Sequence, residues 1–317
     1  MPPGAGNPRA HQLATLETLA HEISTSDELG TLLESLRSFA SEQPEQSNDR
    51  RLIEVGLEDF EKHSRLTPEL VGKLAGAVSR AKDAWREAKL ANDFDAFAPH
   101  LRELIDLNRE KASSFGYEEH IYDALLDEYE PDLTVRKLDS IFKPLRTELV
   151  KLVDKISDKP PVETSVLHGN FPKQRQWDFG VDIARSFGYD FNRGRQDLSA
   201  HPFTINFSID DVRITTRIDE QFFNPGFFGT LHEAGHGLYE QGIDHSLERL
   251  PLATGTSLGI HESQSRFWEN LVGRSRPFWD GHFSKLQTFF PDLPESASAE
   301  SVYRAVNAVK KSFIRVE

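Results

Sequence analysis

Residues 224–242 read NPGFFGTLHEAGHGLYEQG. Pro225 suits a first helical turn, where no backbone N–H is needed, and Gly242 is a residue on which helices stop. A helix between them sets His232 and His236 four residues apart, hence one turn apart on a single face. Both ring nitrogens can then point at one ion. Glu233 is turned about 100° from His232, so it does not ligate beside the histidines. It is placed instead to take a proton from a water activated by a metal and to pass it to a leaving amine. Ala234, Gly235 and Gly237 are small, which lets a metal and a substrate approach the backbone closely.

Just upstream the hydrophobic period changes. FTINFSIDDVRITTRID (203–219) places Phe203, Ile205, Phe207 and Ile209 at alternate positions, then Val212 and Ile214 after a turn at Asp210 and Asp211. That pattern predicts a short antiparallel β-ribbon beside the His-pair helix. Before it, the first two hundred residues have helical spacing almost throughout. Leu13, Leu16, Leu19 and Ile23 form one stripe, and Leu29, Leu32, Leu33, Leu36 and Phe39 form another. Thr67 followed by Pro68 predicts a capped helix start, with the helix running through Trp85 to about Leu90. Leu138, Ile141, Phe142, Leu145, Leu149 and Val153 predict a further amphipathic helix that tolerates Pro144, and residues 157–170 predict a loop. After the His pair, helices are expected near SLGIHESQSRFWENLV (257–272), near FWDGHFSKLQTFF (278–290), and from Ser298 with Val302, Ala305, Val306, Val309 and Phe313 on one face. The absence of alternating βα units argues against a doubly wound sheet. The expected fold is mainly α with a small antiparallel β-ribbon.

The bulk composition narrows the function. The chain has 317 residues, 38% hydrophobic and 28% charged, as a water-soluble globular protein does. No apolar run is long enough for a bilayer and the start lacks a signal-peptide layout, so cytoplasm and no membrane are the expectations. A net charge of −14 argues against nucleic acid as a partner. Cysteine is absent, so any metal site must be built from His, Asp or Glu.

A third ligand must come from elsewhere in the chain. A metzincin arrangement needs Gly and His where Tyr239 and Gly242 stand, so it is excluded. Glu262, 26 residues after His236, leaves room for a loop and a returning helix. Two His and one Glu form a hydrolytic zinc set with one open position. Glu240, Glu248, His245 and His261 are its rivals; His261, adjacent to Glu262, is expected to point the other way, where it can still hydrogen-bond a substrate or a ligand. The histidine ligands should be oriented by carboxylates behind them. Related zinc peptidases often carry Asp four residues after the ligand Glu, where Arg266 stands here. Glu269, seven residues on, is the nearest substitute, and the sequence does not assign this role.

These pieces resemble the M32 family of metallocarboxypeptidases, the Taq carboxypeptidase family. The resemblance rests on HPF at 201–203, DVRIT at 211–215, HEAGH at 232–236, HESQ at 261–264 and IRVE at 314–317, in that order, and covers the whole chain. It implies His232, His236 and Glu262 as zinc ligands and Glu233 as the general base. It also places His201, Asp211, Arg213, Thr215, His261, Gln264 and Arg315 around the substrate groove. Recognition of a free C-terminus needs a cation, and a bidentate guanidinium suits it; Arg213 and Arg315 are the candidates. The resemblance further implies a zinc enzyme (Co2+ often substitutes) that releases single residues from peptide C-termini with broad specificity, as a homodimer. The family pattern continues beyond IRVE and includes a later G-x-x-Q-D-x-H-W motif. The expectation is therefore one truncated catalytic domain over 1–317, with a helical part at 1–200, the ribbon and metal-binding helices at 201–317, and one wall of the groove missing. Two other readings stay open at this point: a zinc endopeptidase or peptidyl-dipeptidase, and a metal-binding fragment without chemistry.

Overall fold

The computed structural model describes residues 5–310. The chain divides into two compact units, Met1–Asp139 with Leu250–Leu252, and Ser140–Arg249 with Ala253–Glu317. The division falls inside a helix rather than at residue 200, where the hydrophobic period changes.

The first unit is helical: α1 (Gly6–Ser24), α2 (Asp27–Ser35), α3 (Arg37–Glu42), α4 (Asn48–His63), α5 (Pro68–Ala91), α6 (Phe94–Phe115) and α7 (Ile121–Leu126). Thr67 caps α5 as predicted, its side chain accepting from the N–H of Leu70 at 3.2 Å. The leucine stripe of α1 does not form its buried face. Leu16 and Ile23 are 61% and 72% exposed, whereas Ala10 and His21 are buried. The reason is close approach: α1 lies on α5, whose Gly72 and Gly76 leave space that Ala10, Ala14 and Thr18 fill. Small residues opposite glycines bring backbones together where leucines would hold them apart. The second stripe also breaks, at Leu36, between α2 and α3. Leu33 and Leu36 still pack against Ala40, Ile53 and Leu57.

Helix α8 (Val135–Ser157) crosses from one unit to the other and continues through Pro144. Its apolar face has the predicted spacing, but no residue of α8 is buried among the described residues. The second unit continues with a 3-10 turn (Ser165–Leu167) inside the predicted loop, α9 (Lys173–Ser186), β1 (Gly194–Leu198), β2 (Thr204–Ser208), β3 (Asp211–Thr216) and α10 (Phe223–Gln241). Then come α11 (Leu258–Arg266), a π-helical turn (Phe267–Val272), α12 (Arg276–Phe289) and α13 (Ala299–Val306). The helix expected over 257–272 is thus α-helical in its first half and π-helical in its second.

The sheet differs from the expected ribbon in two ways. It has three strands in the order β1-β3-β2: β2 pairs antiparallel with β3 as predicted, and β1 pairs parallel with β3. Strand β1 escapes pattern reading because GRQDL has no apolar alternation; Arg195 and Asp197 bind each other instead. The faces of β2 are also inverted. Phe203, Ile205 and Phe207 are 48%, 42% and 66% exposed, and the polar Thr204 and Asn206 turn toward α10, to Glu233 and Glu240. Alternation fixes which residues share a face but not which face meets the core.

An aromatic core anchors α10. Phe223 and Phe227 pack with Phe179, Phe290 and Trp279, all buried, and α13 adds Val302, Ala305 and Val306. Helix α13 begins at a capping box between Ser298 and Ser301 and ends at Val306, so Val309 lies beyond it, half exposed. Phe313 lies outside the described residues. No helix among the described residues is long and apolar enough to cross a membrane.

Candidate metal centre

Helix α10 reaches the centre because its small residues admit neighbours on several sides. A methyl group at Gly235 would stand 2.6 Å from the Cα of Ser265, so the backbones of α10 and α11 are in direct contact. A methyl at Gly237 would overlap the ring of Tyr189, whose hydroxyl donates to the Val212 carbonyl of β3 at 2.5 Å. Packing thus seats α10 between the sheet and α11, with the His-pair face turned to Glu262.

His232, His236 and Glu262 converge: one donor atom from each lies within 4.8 Å of the other two. Glu262 Oε2 is 3.5 Å from His232 Nε2 and 3.2 Å from His236 Nε2. The other atom of each group is already held. His232 Nδ1 meets Glu269 Oε2 at 2.9 Å, His236 Nδ1 meets His261 Nδ1 at 2.6 Å, and Glu262 Oε1 accepts from Arg266 Nε at 2.9 Å. Two imidazole nitrogens and one carboxylate oxygen are therefore presented to a common point. This donor set fits a divalent ion that accepts N and O ligands.

Burial and neighbouring charges set the proton affinities around this point. His236 is pushed down to about 4, by burial first and then by the neighbouring His261 and His232, so it is neutral and able to ligate. His232 moves up: burial opposes its charge, but the Glu269 hydrogen bond and the charges of Glu233, Glu262 and Glu269 outweigh it. Glu262 and Glu269 are both pulled down against burial, Glu262 chiefly by His232 and Arg266, Glu269 by the His232 hydrogen bond and by Arg266 and Arg274. The carboxylates are thus ionised, as ligands and their supports must be.

Glu233 lies on the sheet side of α10, 5% exposed. Its Oε2 accepts from Thr204 Oγ1 at 2.7 Å, and the same hydroxyl lies 3.0 Å from its backbone carbonyl. Burial raises its proton affinity, partly offset by Thr204 and by the charges of His232 and His201. A carboxyl with raised affinity is suited to accept and return a proton near neutrality.

The remaining expected site residues are distributed as follows. His201 is exposed, its Nδ1 at 2.7 Å from the Pro202 carbonyl. Arg213 is paired with Asp211 through two hydrogen bonds of 2.7 Å and lies over the Phe207 ring. In register Arg213 stands opposite Ile205, so it projects from the face of the sheet away from α10. Thr215 is buried and joins Ser199 and the Phe203 backbone, which is a packing role. Gln264 is half buried, its carbonyl against Gly235. Arg315 lies outside the described residues. His261 does not point away: it stands directly behind His236. Glu240, a rival for the third ligand, stands behind His261, Nε2 to Oε1 at 2.7 Å.

Glu269 faces His232 across the spacing that the sequence left unassigned. Seven residues is about two helical turns, and Arg266 binds both Glu262 and Glu269, so the two carboxylates share a face. Thr204, Asn206 and Arg266 also went unread as parts of the centre. The first two carry a faint signal, as the polar positions of an alternating strand next to HEAGH.

A mainly helical protein with a three-stranded sheet beside a His-Glu-x-x-His helix, completed by a glutamate from the next helix, has the build of a metallopeptidase. The family model described as Carboxypeptidase Taq (M32) metallopeptidase matches residues 1–317, and the chain belongs to that family. Carboxypeptidase 1 of Bacillus subtilis is 38% identical over 319 residues, spanning 100% of this chain and 63% of its own length. Thermostable carboxypeptidase 1 of Thermus thermophilus is 41% identical over 321 residues, spanning 98% and 62%. The crystal structure of M32 carboxypeptidase from Deinococcus radiodurans R1 superposes with a TM-score of 0.86 at 41% identity, over 98% of this chain and 62% of that one. The chain therefore spans a little over 60% of the length of the relatives it matches.

Proposed function

We propose that this chain carries the metal centre of a carboxypeptidase that releases single amino acids from peptide C-termini with broad specificity. The observation that carries the reading is the convergence of His232, His236 and Glu262 beside a buried Glu233. Zinc is the proposed ion, with Co2+ able to replace it, because the donors are two imidazoles and one carboxylate. When bound, the ion supplies Lewis acidity toward the scissile carbonyl and toward water. Glu233 takes the proton from the attacking water and returns it to the departing amine nitrogen. Thr204 holds Glu233 Oε2, which leaves Oε1 for that transfer. Glu269 and His261 keep the two ligand rings turned with Nε2 inward.

The substrate is a peptide with a free C-terminus. Because Arg213 is committed to Asp211, Arg315 is the stronger candidate for its carboxylate, with His201 and Gln264 as further polar groups near the groove. A homodimer in the cytoplasm, with neither nucleic acid nor membrane as partner, completes the proposal. The test is a mass-spectrometric time course of a model peptide with the zinc-loaded chain. A ladder losing one C-terminal residue at a time is the expected result. Internal cuts or losses of residue pairs would replace the reading with an endopeptidase or a peptidyl-dipeptidase. No cleavage with one ion bound per chain would reduce it to a metal-binding role. Glu233→Gln should abolish the ladder and leave ion binding within about twofold, since Glu233 is not a ligand.

A further inference from the structure

Glu262 offers the centre only one of its two carboxylate oxygens. Oε2 faces His236 Nε2 at 3.2 Å and His232 Nε2 at 3.5 Å, whereas Oε1 accepts from Arg266 Nε at 2.9 Å. Ser265 Oγ also comes within 3.1 Å of Oε2, but its shorter contact is the Glu262 carbonyl at 2.7 Å, which takes the hydroxyl hydrogen. An isolated arginine–glutamate pair one turn apart on a half-exposed helix face is weak and exchanges readily with water. This pair is not isolated. Nη1 of the same guanidinium donates to Oε2 of the buried Glu269 at 3.1 Å, and Glu269 Oε1 lies 3.4 Å from Arg274 Nη2. Arg274 is anchored in turn: Nη1 donates to the Val306 carbonyl at the end of α13, and the Phe228 ring lies 4.0 Å from its guanidinium carbon. A carboxylate held on both oxygens therefore grips Arg266 from the buried side and keeps its Nε on Glu262. A guanidinium carries donors only, so the direction of each of these hydrogen bonds is fixed by the arginines themselves.

We propose that Arg266 sets which ion the centre prefers, by withholding Oε1 of Glu262 from it. Arg266 is then a positioning residue that acts through Glu262. The inference rests on the assignment of His232, His236 and Glu262 as ligands. The chemistry follows from the number and kind of donors. With Oε1 occupied, the chain presents two imidazole nitrogens and a single oxygen. A small set that includes nitrogen suits zinc, which is satisfied by four ligands in all. Manganese and magnesium take more ligands and favour carboxylate oxygen. Were Oε1 released, a turn of the Glu262 carboxylate would bring both oxygens to the centre. The added oxygen donor would do more for manganese than for zinc. The guanidinium therefore protects the preference for zinc, and Glu269 serves twice, on His232 Nδ1 and on the group that restrains Glu262.

The test measures the affinities of the 317-residue chain for Zn2+ and for Mn2+ by chelator competition, in the unmodified protein and in Arg266→Met. Methionine keeps an unbranched stem and good helix propensity and cannot donate. Zinc affinity should fall about tenfold, the lower end of what loss of a group behind a ligand costs. Manganese affinity should hold or rise, so the preference for zinc narrows by about tenfold or more. A merely structural role would weaken both ions by one factor and leave the preference where it was. That result, or unchanged affinity for both ions, would overturn the proposal. A second measurement needs no variant. In 15N–1H NMR of the unmodified chain, the Arg266 Nε–H signal should stay protected from solvent exchange when zinc is added. Its loss on zinc binding would mean that the ion takes Oε1, and would overturn the proposal as well. If the preference and the signal behave as stated but no peptide is trimmed, this inference stands and the carboxypeptidase reading fails. If peptides are trimmed and the preference is unmoved, this inference alone fails. A chain that binds neither ion overturns both.

Discussion

Replacing Gly235 by alanine should separate the third ligand from the histidines. The added methyl would meet the Cα of Ser265 at 2.6 Å, the Gln264 carbonyl at 3.0 Å and the Ser265 nitrogen at 3.2 Å. All three are backbone atoms, so no rotamer change relieves the overlap. Carbon atoms in contact settle at about 3.5–4.0 Å, so α11 must retreat by roughly 1 Å. Glu262 is three residues from Ser265 on the same helix and moves with it. Ligand positions tolerate about 0.2 Å, so the displacement is several times the tolerance. Overpacking costs about 1–3 kcal/mol, and exchanging glycine for alanine in a helix returns about 1 kcal/mol. Net destabilisation of the metal-free chain should therefore be small, about 0–2 kcal/mol, while zinc affinity should drop at least about tenfold. Calorimetric titration with zinc and thermal unfolding without it would measure the two effects separately. Gly281→Ala is the matched control: it lies in α12, exposed, with nothing within 4 Å of the new methyl. It should stabilise by about 0.5–1 kcal/mol with no change in zinc binding. A Gly235→Ala protein with unchanged zinc affinity would refute the view that backbone contact between α10 and α11 sets the position of Glu262.

Glu269→Ala would leave His232 Nδ1 without its carboxylate and Arg266 and Arg274 without a shared partner; zinc affinity should fall about tenfold to a hundredfold, and a chelator titration with no such loss would show that Glu269 does not orient His232. In the first unit, Asp127 is held below the usual carboxylate range: burial opposes its charge, but hydrogen bonds from Lys62 and the Asp132 N–H outweigh it. A carboxyl with lowered folded-state affinity contributes stability that is present above its unfolded value, about 3.9, and is lost as pH falls below it. Asp127→Asn should therefore destabilise at pH 7 by less than about 1 kcal/mol, because the group is partly solvated, and the difference between the two proteins should shrink toward pH 3 in denaturant titrations.

The convergence of His232, His236 and Glu262 is legible in the sequence because helical spacing converts directly into a shared face, as HEAGH shows, and because Glu262 sits one loop and one helix further on. It also placed the strand pair β2 and β3, whose alternation is regular. What it hid were features decided by partners rather than by pattern. The α1 leucines have a clean helical stripe, yet the glycine face of α5 selects the small side of α1 instead. Strand β1 is held by backbone pairing and carries no apolar period. Glu269, two helical turns after Glu262, has a suitable spacing, but only its contact with His232 assigns the role. His261 is read as pointing away from Glu262 because adjacent helix residues diverge by about 100°. Its ring bridges to His236 while Glu262 reaches the same centre from the next position.

Strand β2 turns its oily side to water, and this affects how the protein behaves at high concentration. It is the margin of the sheet, with one backbone edge not engaged by another strand among the described residues, and Phe203, Ile205 and Phe207 stand on its outer surface. An edge of that kind is a template for chain-to-chain pairing and a seed for aggregation. Arg213 lies over Phe207 and covers part of that ring. The inner side chains of the strand, Thr204 and Asn206, are spoken for by Glu233 and Glu240. Solubility and metal chemistry are thus written on opposite faces of five residues, so lysines set at the outer positions would change the first without touching the second.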